Sequence, residues 1–258
     1  MKYKNIDTIY MVMAIKRTGH HGIIDWLRFS YKPNTVFYND CIFGESPHDS
    51  AYNYWIDYNY FMKPSKDVKL DVNKNINCLV CNYEDFDLEN FSVDKAMKIV
   101  NSITENYKRL FFITVNRDPF NHQSSIYTFT NGERETDVKE WKKYAKEHLG
   151  ITNYVPNAIH IDYSLWMENK EEKEKLYKEI GGTAPYKDIY PRISPHGCGS
   201  SFNPKQYNAR IITMGALERW KEVDYKLIKS LLEDEELVDL ARKLYGDKFI
   251  DKIIGENK

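Results

Sequence analysis

One stretch near the start of the chain decides the fold: TIYMVMAIKRTGHHG, residues 8–22. Thr8–Ile15 is almost wholly apolar, and its length is typical of a β-strand that is buried on both faces, as in a parallel sheet. A polar turn that contains glycine follows, and apolar residues then recur at helical spacing from Ile23 to Leu27. The stretch therefore predicts a buried strand, a tight turn and a helix in direct succession.

Beyond this stretch, strands and helices are predicted to alternate as far as about residue 165. Further apolar runs predict strands at residues 36–38, 76–81, 110–115 and 158–161. We expect a single domain over residues 1–258, with an α/β core in residues 1–165 that has a parallel β-sheet flanked by helices, a three-layer sandwich. A long loop and C-terminal helices are expected in residues 166–258, including one helix over Glu168–Ile180.

Residue types also mark where two of the helices start. Ser92 precedes a run in which four apolar residues, Ala96, Ile99, Val100 and Ile103, share one face. Asp118-Pro119 places a capping residue before a proline at the first helical position. Ser46–Pro64, by contrast, is aromatic and predicted to be irregular, so that its rings either pack onto the sheet or line an acceptor site.

Composition limits the class of protein. The 258 residues include 37 Lys and Arg against 38 Asp and Glu, which argues against a general nucleic-acid binder, because such proteins carry a basic excess. No run reaches the roughly 18 apolar residues that cross a bilayer, and no secretory signal is recognised. We therefore expect a cytoplasmic protein with no membrane partner, whose four cysteines are reduced thiols. Cys78 and Cys81, three apart on one strand, are expected to face opposite sides and not to share a metal.

The turn after the first strand has the features of an anion site. Backbone N–H groups at a helix N-terminus point outward and carry partial positive charge. Gly19 and Gly22 allow the backbone to approach an anion closely, and Arg17 adds a forked donor for phosphate or sulfate oxygens. The Gly-Lys-Ser/Thr ending of nucleotide-hydrolase loops is absent.

A second polar motif follows the predicted strand at residues 110–115. It reads NRDPFNHQSS, residues 116–125, and places Arg117 at the strand tip with Ser125 two turns into the next helix. A cation and a hydroxyl so arranged could hold a further anionic group. The alternative is that Arg117 pairs with Asp118 or with a neighbouring carbonyl.

Taken together, the two motifs resemble those of the sulfotransferase family, whose members use PAPS (3′-phosphoadenosine 5′-phosphosulfate) as donor. Arg17-Thr18-Gly19 matches the family's 5′ loop, whereas His20 and His21 depart from it. Arg117-Asp118-Pro119 and Ser125 match the spacing of its 3′-phosphate motif. The resemblance implies that the turn residues bind the phosphosulfate, that Arg117 and Ser125 hold the 3′-phosphate, and that no metal is needed. These turn residues are Arg17, Thr18, Gly19, His20, His21 and Gly22.

The resemblance also implies a catalytic base just past the strand that precedes the second motif. Glu84 is the first candidate and Asp85 the second, with His48 and His20 as rivals because histidine titrates near neutral pH. Arg17 would neutralise charge on the transferred group. A later loop rich in glycine and serine could cover the nucleotide, and its candidate binding residues are Gly199, Ser200 and Lys205.

Together with the resemblance, these residues predict a sulfotransferase that moves a sulfuryl group from PAPS to a hydroxyl of a small molecule or carbohydrate. Two alternatives stay open. One is a nucleotide- or glycan-binding protein that keeps the fold without transfer activity. The other is a different nucleotide-dependent transferase such as a kinase, which the absence of an obvious magnesium carboxylate disfavours. The acceptor and the oligomeric state are not given by the sequence.

Overall fold

The computed structural model describes residues 2–31, 33–57, 59–62, 73–132, 138–182 and 215–256. Within these residues a seven-stranded sheet forms the centre of the molecule. Its strands are β1 (Ile6–Ala14), β2 (Thr35–Asn39), β3 (Asn53–Ile56), β4 (Asn59–Met62), β5 (Ile76–Glu84), β6 (Tyr107–Asn116) and β7 (Ile159–Asp162). The strand order is β4-β3-β2-β5-β1-β6-β7.

Five of the strands, β2, β5, β1, β6 and β7, run parallel, and β3 and β4 extend one edge in antiparallel fashion. β1 lies at the middle of the parallel part, between β5 and β6. The chain leaves β1 toward β2 on one side and later returns past it to β6 on the other. In open α/β sheets such a switch point opens a crevice at the carboxyl ends of the strands, where ligands bind.

Helices cover both faces of the sheet, as alternate residues of β1 show. Ile9, Met11 and Met13 pack in one hydrophobic core, and the intervening Tyr10, Val12 and Ala14 pack in the other. The second core also receives α1 (His20–Phe29), α6 (Tyr163–Glu168) and α7 (Lys170–Glu179). The first receives α3 (Val93–Ile103), α5 (Val138–His148), α8 (Tyr225–Leu232), α9 (Glu235–Tyr245) and α10 (Asp247–Glu256).

The predicted α/β architecture, with a parallel sheet between helices and a helical C-terminal part, is thus confirmed. Both predicted helix starts are also correct. The Ser92 side chain accepts a hydrogen bond from the Lys95 N–H at the start of α3. Asp118 accepts from the Asn121 N–H at the start of α4 (Pro119–Phe129), with proline at the first position.

One prediction of local structure was wrong. The stretch predicted to be irregular contains a short helix, α2 (Pro47–Ser50), and the β3–β4 pair. The helix expected over Glu168–Ile180 is present as α7, which Asn169 caps by accepting from the Glu172 N–H. No helix within the described residues is both long and apolar enough to cross a membrane.

Candidate functional site

The carboxyl ends of β1, β5 and β6 bring together most of the residues that the sequence singles out. Ala14, the last residue of β1, lies opposite Glu84 of β5 on one side and Val115 of β6 on the other. The turn at residues 15–19 therefore lies beside Glu84, and Arg117 follows one residue after the end of β6. The parallel sheet gathers these groups because the carboxyl ends of parallel strands share one edge.

The turn holds a constrained backbone. Arg17 and Gly19 both lie in the left-handed region, with φ of 70° and 86°. The Thr18 N–H and hydroxyl both donate to the Ile15 carbonyl, at 3.3 and 2.8 Å. A Cβ on Gly19 would stand 2.6 Å from ring carbons of Tyr163, which is too close for any side chain. Glycine at this position therefore permits both the φ angle and the close packing of α6.

Two side chains from neighbouring segments hold the backbone of Lys16 in this turn. The Lys16 N–H donates to Asp85 Oδ1 at 2.8 Å. His122, from α4, lies with its Nε2 2.8 Å from the Lys16 carbonyl, where a ring N–H donates. Burial lowers the pKa of His122 to about 4, so its imidazole is neutral at physiological pH. Sequence reasoning missed this role of His122, although the residue lies within the second motif.

Two arginines converge at Ser125, which is fully buried on α4, and a third lies beside them. Arg17 Nε donates to the Ser125 hydroxyl at 3.2 Å, and Arg219 Nη1 donates to the same oxygen at 3.1 Å. Arg117 lies alongside and donates to the Arg17 carbonyl at 3.3 Å and to the Ala216 carbonyl. The sequence offered two roles for Arg117, an anion ligand or a partner of Asp118 or a carbonyl, and these two hydrogen bonds correspond to the carbonyl alternative.

Arg219 is the functional candidate that sequence reasoning missed. It lies in a short 3-10 helix, Arg219–Glu222, and its backbone N–H donates to Asn121 Oδ1 at 2.7 Å. Burial and the nearby charge of Arg117 lower the pKa of Arg219 to about 9, and Arg17 acts in the same direction. The free-energy cost of gathering these like charges would be reduced by an anion bound among them.

Glu84 and His20 face each other beside this cluster. His20 Nε2 lies 3.6 Å from Glu84 Oε1, with the His20 ring almost fully buried. Burial raises the pKa of Glu84 to about 7; Asp40 and Asp85 raise it further, while Lys16 and Arg17 oppose them. Burial lowers the pKa of His20 to about 3. The histidine is therefore neutral, and the carboxyl group is suited to exchanging a proton near neutral pH.

His21 completes a group of three potential ligand atoms. One such atom from each of His20, His21 and Glu84 lies within 4.8 Å of the others. The sequence predicts no metal site, yet the sheet places the carboxylate of β5 next to both histidines at the start of α1. His21 also lies near Phe37 of β2, with ring centroids 6.4 Å apart.

The other candidates for the base lie in different surroundings. Asp85 is exposed, and its carboxylate holds the Lys16 N–H, which is a structural role. His48 packs edge-on against Tyr38, with ring centroids 6.5 Å apart. Tyr38 and Phe37 point to opposite faces of β2, so His48 lies on the face away from His21. The geometry thus favours Glu84 over both.

The remaining predictions concern the late loop, the cysteines and the aromatic stretch. Gly199, Ser200 and Lys205 lie outside the described residues. Cys78 and Cys81 are buried free thiols in different cores, as expected for opposite faces of β5. In the aromatic stretch, Tyr54 and Trp55 are buried in the two cores, whereas Tyr52 is 57% exposed.

Comparison with known proteins gives likenesses to solved structures. The chain is similar to mouse sulfotransferase SULT7A1 complexed with PAP, with a TM-score of 0.47 and 12% sequence identity, over 93% of this chain and 89% of that one. No protein-family model and no curated protein sequence matches the chain. At this distance, the geometry of the site itself has to support any statement about function.

Proposed function

We propose that the protein is a sulfotransferase that moves the sulfuryl group of PAPS to a hydroxyl of a small-molecule or carbohydrate acceptor. The observation that carries this proposal is the convergence of Arg17 and Arg219 at Ser125, with the charge of Arg117 nearby. Arginine forks match the oxygens of phosphate and sulfate, and charge-assisted hydrogen bonds of this kind are the strong ones.

The two motifs divide the donor between them. Backbone N–H groups at the start of α1, from Gly19 to His21, would receive the 5′-phosphosulfate, whereas the Thr18 N–H is held by the Ile15 carbonyl. Ser125 and Arg219 would hold the 3′-phosphate. Arg117, expected as its ligand, donates to two carbonyls and would add positive charge nearby. Arg17 connects the two parts, because its backbone belongs to the turn while its guanidinium group reaches the Ser125 hydroxyl at 3.2 Å.

Glu84 would act as the general base. The acceptor oxygen forms a bond to sulfur while the bond from sulfur to the bridging phosphate oxygen breaks, and the product PAP (adenosine 3′,5′-bisphosphate) leaves. The acceptor proton passes to the Glu84 carboxylate. Positioning and charge stabilisation supply most of the rate enhancement in this type of transfer.

Thermal unfolding with added nucleotides tests the donor site. PAP, AMP and ADP are compared at equal concentrations, with EDTA present throughout. A ligand at 100 times its Kd stabilises the folded protein by about 2.7 kcal/mol. We expect PAP to raise the melting temperature well above the values with AMP and ADP, since those two lack the 3′-phosphate. Equal shifts for the three nucleotides, or no shift with PAP, would contradict the proposal.

Transfer itself is tested with labelled PAPS and a panel of hydroxyl acceptors. Release of PAP that depends on an acceptor supports the sulfotransferase. Selective PAP binding without transfer to any acceptor would favour the binding protein that keeps the fold, and magnesium-dependent turnover of ATP would favour a kinase.

A further inference from the structure

The hydrogen bonds around His20 fix which of its ring nitrogens carries the proton. The Thr18 hydroxyl has one hydrogen, and it donates that hydrogen to the Ile15 carbonyl at 2.8 Å. The same oxygen lies 3.2 Å from His20 Nδ1, so it accepts there and Nδ1 carries the proton. His20 Nε2 is then an unprotonated acceptor. It is buried and has no hydrogen-bond partner among the described residues.

This assignment leaves two acceptors facing each other. The lone pair of His20 Nε2 points toward Glu84 Oε1 across 3.6 Å, where no hydrogen bond closes the gap. His21 adds a third group, and its Nδ1 is also buried without a partner among the described residues. A positive charge placed between these groups would stabilise their lone pairs.

We propose that His20, His21 and Glu84 bind one divalent transition-metal ion, for which zinc is the best-fitting choice. Two imidazoles and one carboxylate are a common ligand set for zinc and its neighbours, whereas magnesium and calcium prefer oxygen ligands alone. At metal–ligand bonds of about 2.1 Å, tetrahedral ligands lie about 3.4 Å apart, close to the 3.6 Å that separates His20 and Glu84. A fourth position stays open for water or another ligand.

The surroundings of the three ligands fit this assignment. Histidines that bind metals commonly donate their other N–H to a second group, which orients the ring. Here that second group is the Thr18 hydroxyl, itself fixed by the Ile15 carbonyl. Lys16 and Arg17 bring positive charge near Glu84, and Asp40 and Asp85 offset it. The site shares Glu84 with the proposed general base and both histidines with the proposed phosphosulfate turn. Zinc binding itself needs neither PAPS nor an acceptor, so it is tested separately from transfer.

Metal binding to the full chain tests the proposal directly. The untagged protein is stripped with EDTA, desalted and titrated with zinc by calorimetry, and with cobalt(II) by visible absorption. We expect one ion per chain, zinc tighter than cobalt, ligand-field absorption typical of four- or five-coordinate cobalt, and no response to magnesium. Absence of stoichiometric zinc and cobalt binding by the wild-type chain would overturn the proposal.

Variants assign the ligands. Glu84→Gln and His21→Gln should each weaken zinc binding by more than the 10–100-fold that loss of an outer partner costs, and Thr18→Val should weaken it by about 10–100-fold. The matched control is His160→Gln. His160 and His148 form another close pair, with ring centroids 4.8 Å apart, and they meet at the Thr114 hydroxyl. His160→Gln should bind zinc like the wild type.

Circular dichroism and thermal melting establish that each variant is folded before it is titrated. If His21→Gln fails to fold, Glu84→Gln and Thr18→Val still decide the assignment, because they change different parts of the site. Unchanged zinc affinity in Glu84→Gln, or an equal loss in His160→Gln, would rule out this ligand set.

Discussion

Arg17 and Arg219 donate to one and the same oxygen, the Ser125 hydroxyl, at 3.2 and 3.1 Å. The two arginines come from opposite ends of the sequence, one from the turn after β1 and the other from the short 3-10 helix before α8. Their charges repel, and both guanidinium groups are nevertheless held at a single hydroxyl. An anion bound at this point would meet forked donors from both sides.

Arg219→Gln tests the contribution of the arginine that lies far along the chain. Loss of a charge-assisted hydrogen bond costs about 1.5–3 kcal/mol, so the affinity for PAP should fall about 10- to 150-fold. The affinity for AMP should change little, because AMP has no 3′-phosphate. The matched control is Arg242→Gln, since the Arg242 side chain is 47% exposed on α9. Calorimetric titration measures both affinities, and equal losses in the two variants would refute the role of Arg219.

Ser125→Ala tests the shared hydroxyl, with its neighbour Ser124 as the control. Both serines are fully buried on α4, and the Ser124 hydroxyl has no hydrogen-bond partner among the described residues. Ser125→Ala should weaken PAP binding by about 0.5–1.5 kcal/mol, the net contribution of an ordinary hydrogen bond. Ser124→Ala should leave it unchanged. A larger loss of PAP affinity in Ser124→Ala would show that the 3′-phosphate lies at a different position along α4.

Gly19→Ala separates backbone strain from steric conflict at the turn. Gly19 and Gly150 both have positive φ, 86° and 67°, but a Cβ on Gly150 would meet nothing within 4 Å. The left-handed conformation alone should cost Gly150→Ala about 1–2 kcal/mol in the free energy of unfolding. Gly19→Ala should cost more, since its Cβ also collides with the Tyr163 ring. Urea unfolding of both variants measures the difference, and equal losses would show that Tyr163 moves aside freely.

Glu84→Gln and Asp85→Asn distinguish the two carboxylates that the sequence offers as base. Glutamine cannot take a proton, so sulfuryl transfer should collapse in Glu84→Gln while PAP binding survives. Asparagine keeps an oxygen that can accept from the Lys16 N–H, so Asp85→Asn should retain most of its transfer rate. Single-turnover rates measured in EDTA supply the readout. Full activity in Glu84→Gln would leave His48 or His20 as the base.

Zinc should inhibit sulfuryl transfer, because a metal ion on Glu84 occupies the carboxylate that takes the acceptor proton. The loss should follow zinc occupancy, and EDTA should restore the rate. His160→Gln should be inhibited like the wild type, whereas Thr18→Val should need about 10–100 times more zinc. If zinc binds and transfer continues unchanged, Glu84 is not the base. The metal site would then be independent of the transfer reaction.

The sequence predicted the central part of the fold because that part is encoded locally. The run before Lys16 is apolar on both alternating faces, which is typical of a strand that is covered on both sides. Ser92 and Asp118 carry their capping signals within three residues of the groups that they cap. The start of α7 is also encoded locally, since Asn169 and Glu172 have the spacing of a capped helix start.

The β3–β4 pair was not predicted because the usual turn signal between two such strands is missing. Short two-residue connections between antiparallel strands are commonly marked by Asn-Gly or Asp-Gly. Here Asp57 takes the left-handed conformation, with φ of 52°, but Tyr58 follows it in place of glycine. The dense aromatic composition also hides the alternation that would mark two strands.

The contacts of the site that were missed depend on strand order and on long-range packing. His20 lies close to Glu84 only because β5 lies next to β1. The order of strands in a sheet cannot be predicted from any single segment of sequence. Arg219 reaches Ser125 through its backbone bond to Asn121, which no local pattern marks. Residue type and spacing therefore identified Arg17, Arg117 and Ser125 as candidate site residues. They could not identify Arg219, which lies far along the chain.

The position of Arg219 along the chain has a consequence for how the protein is made. A ribosome releases Arg17, Arg117 and Ser125 well before Arg219, so a nascent chain lacks one of the donors at Ser125 until residue 219 has been added. Domains tend to fold as units during synthesis, and a ligand stabilises only the state that binds it. If PAP binds as proposed, it would stabilise chains that contain Arg219 over chains that stop before it.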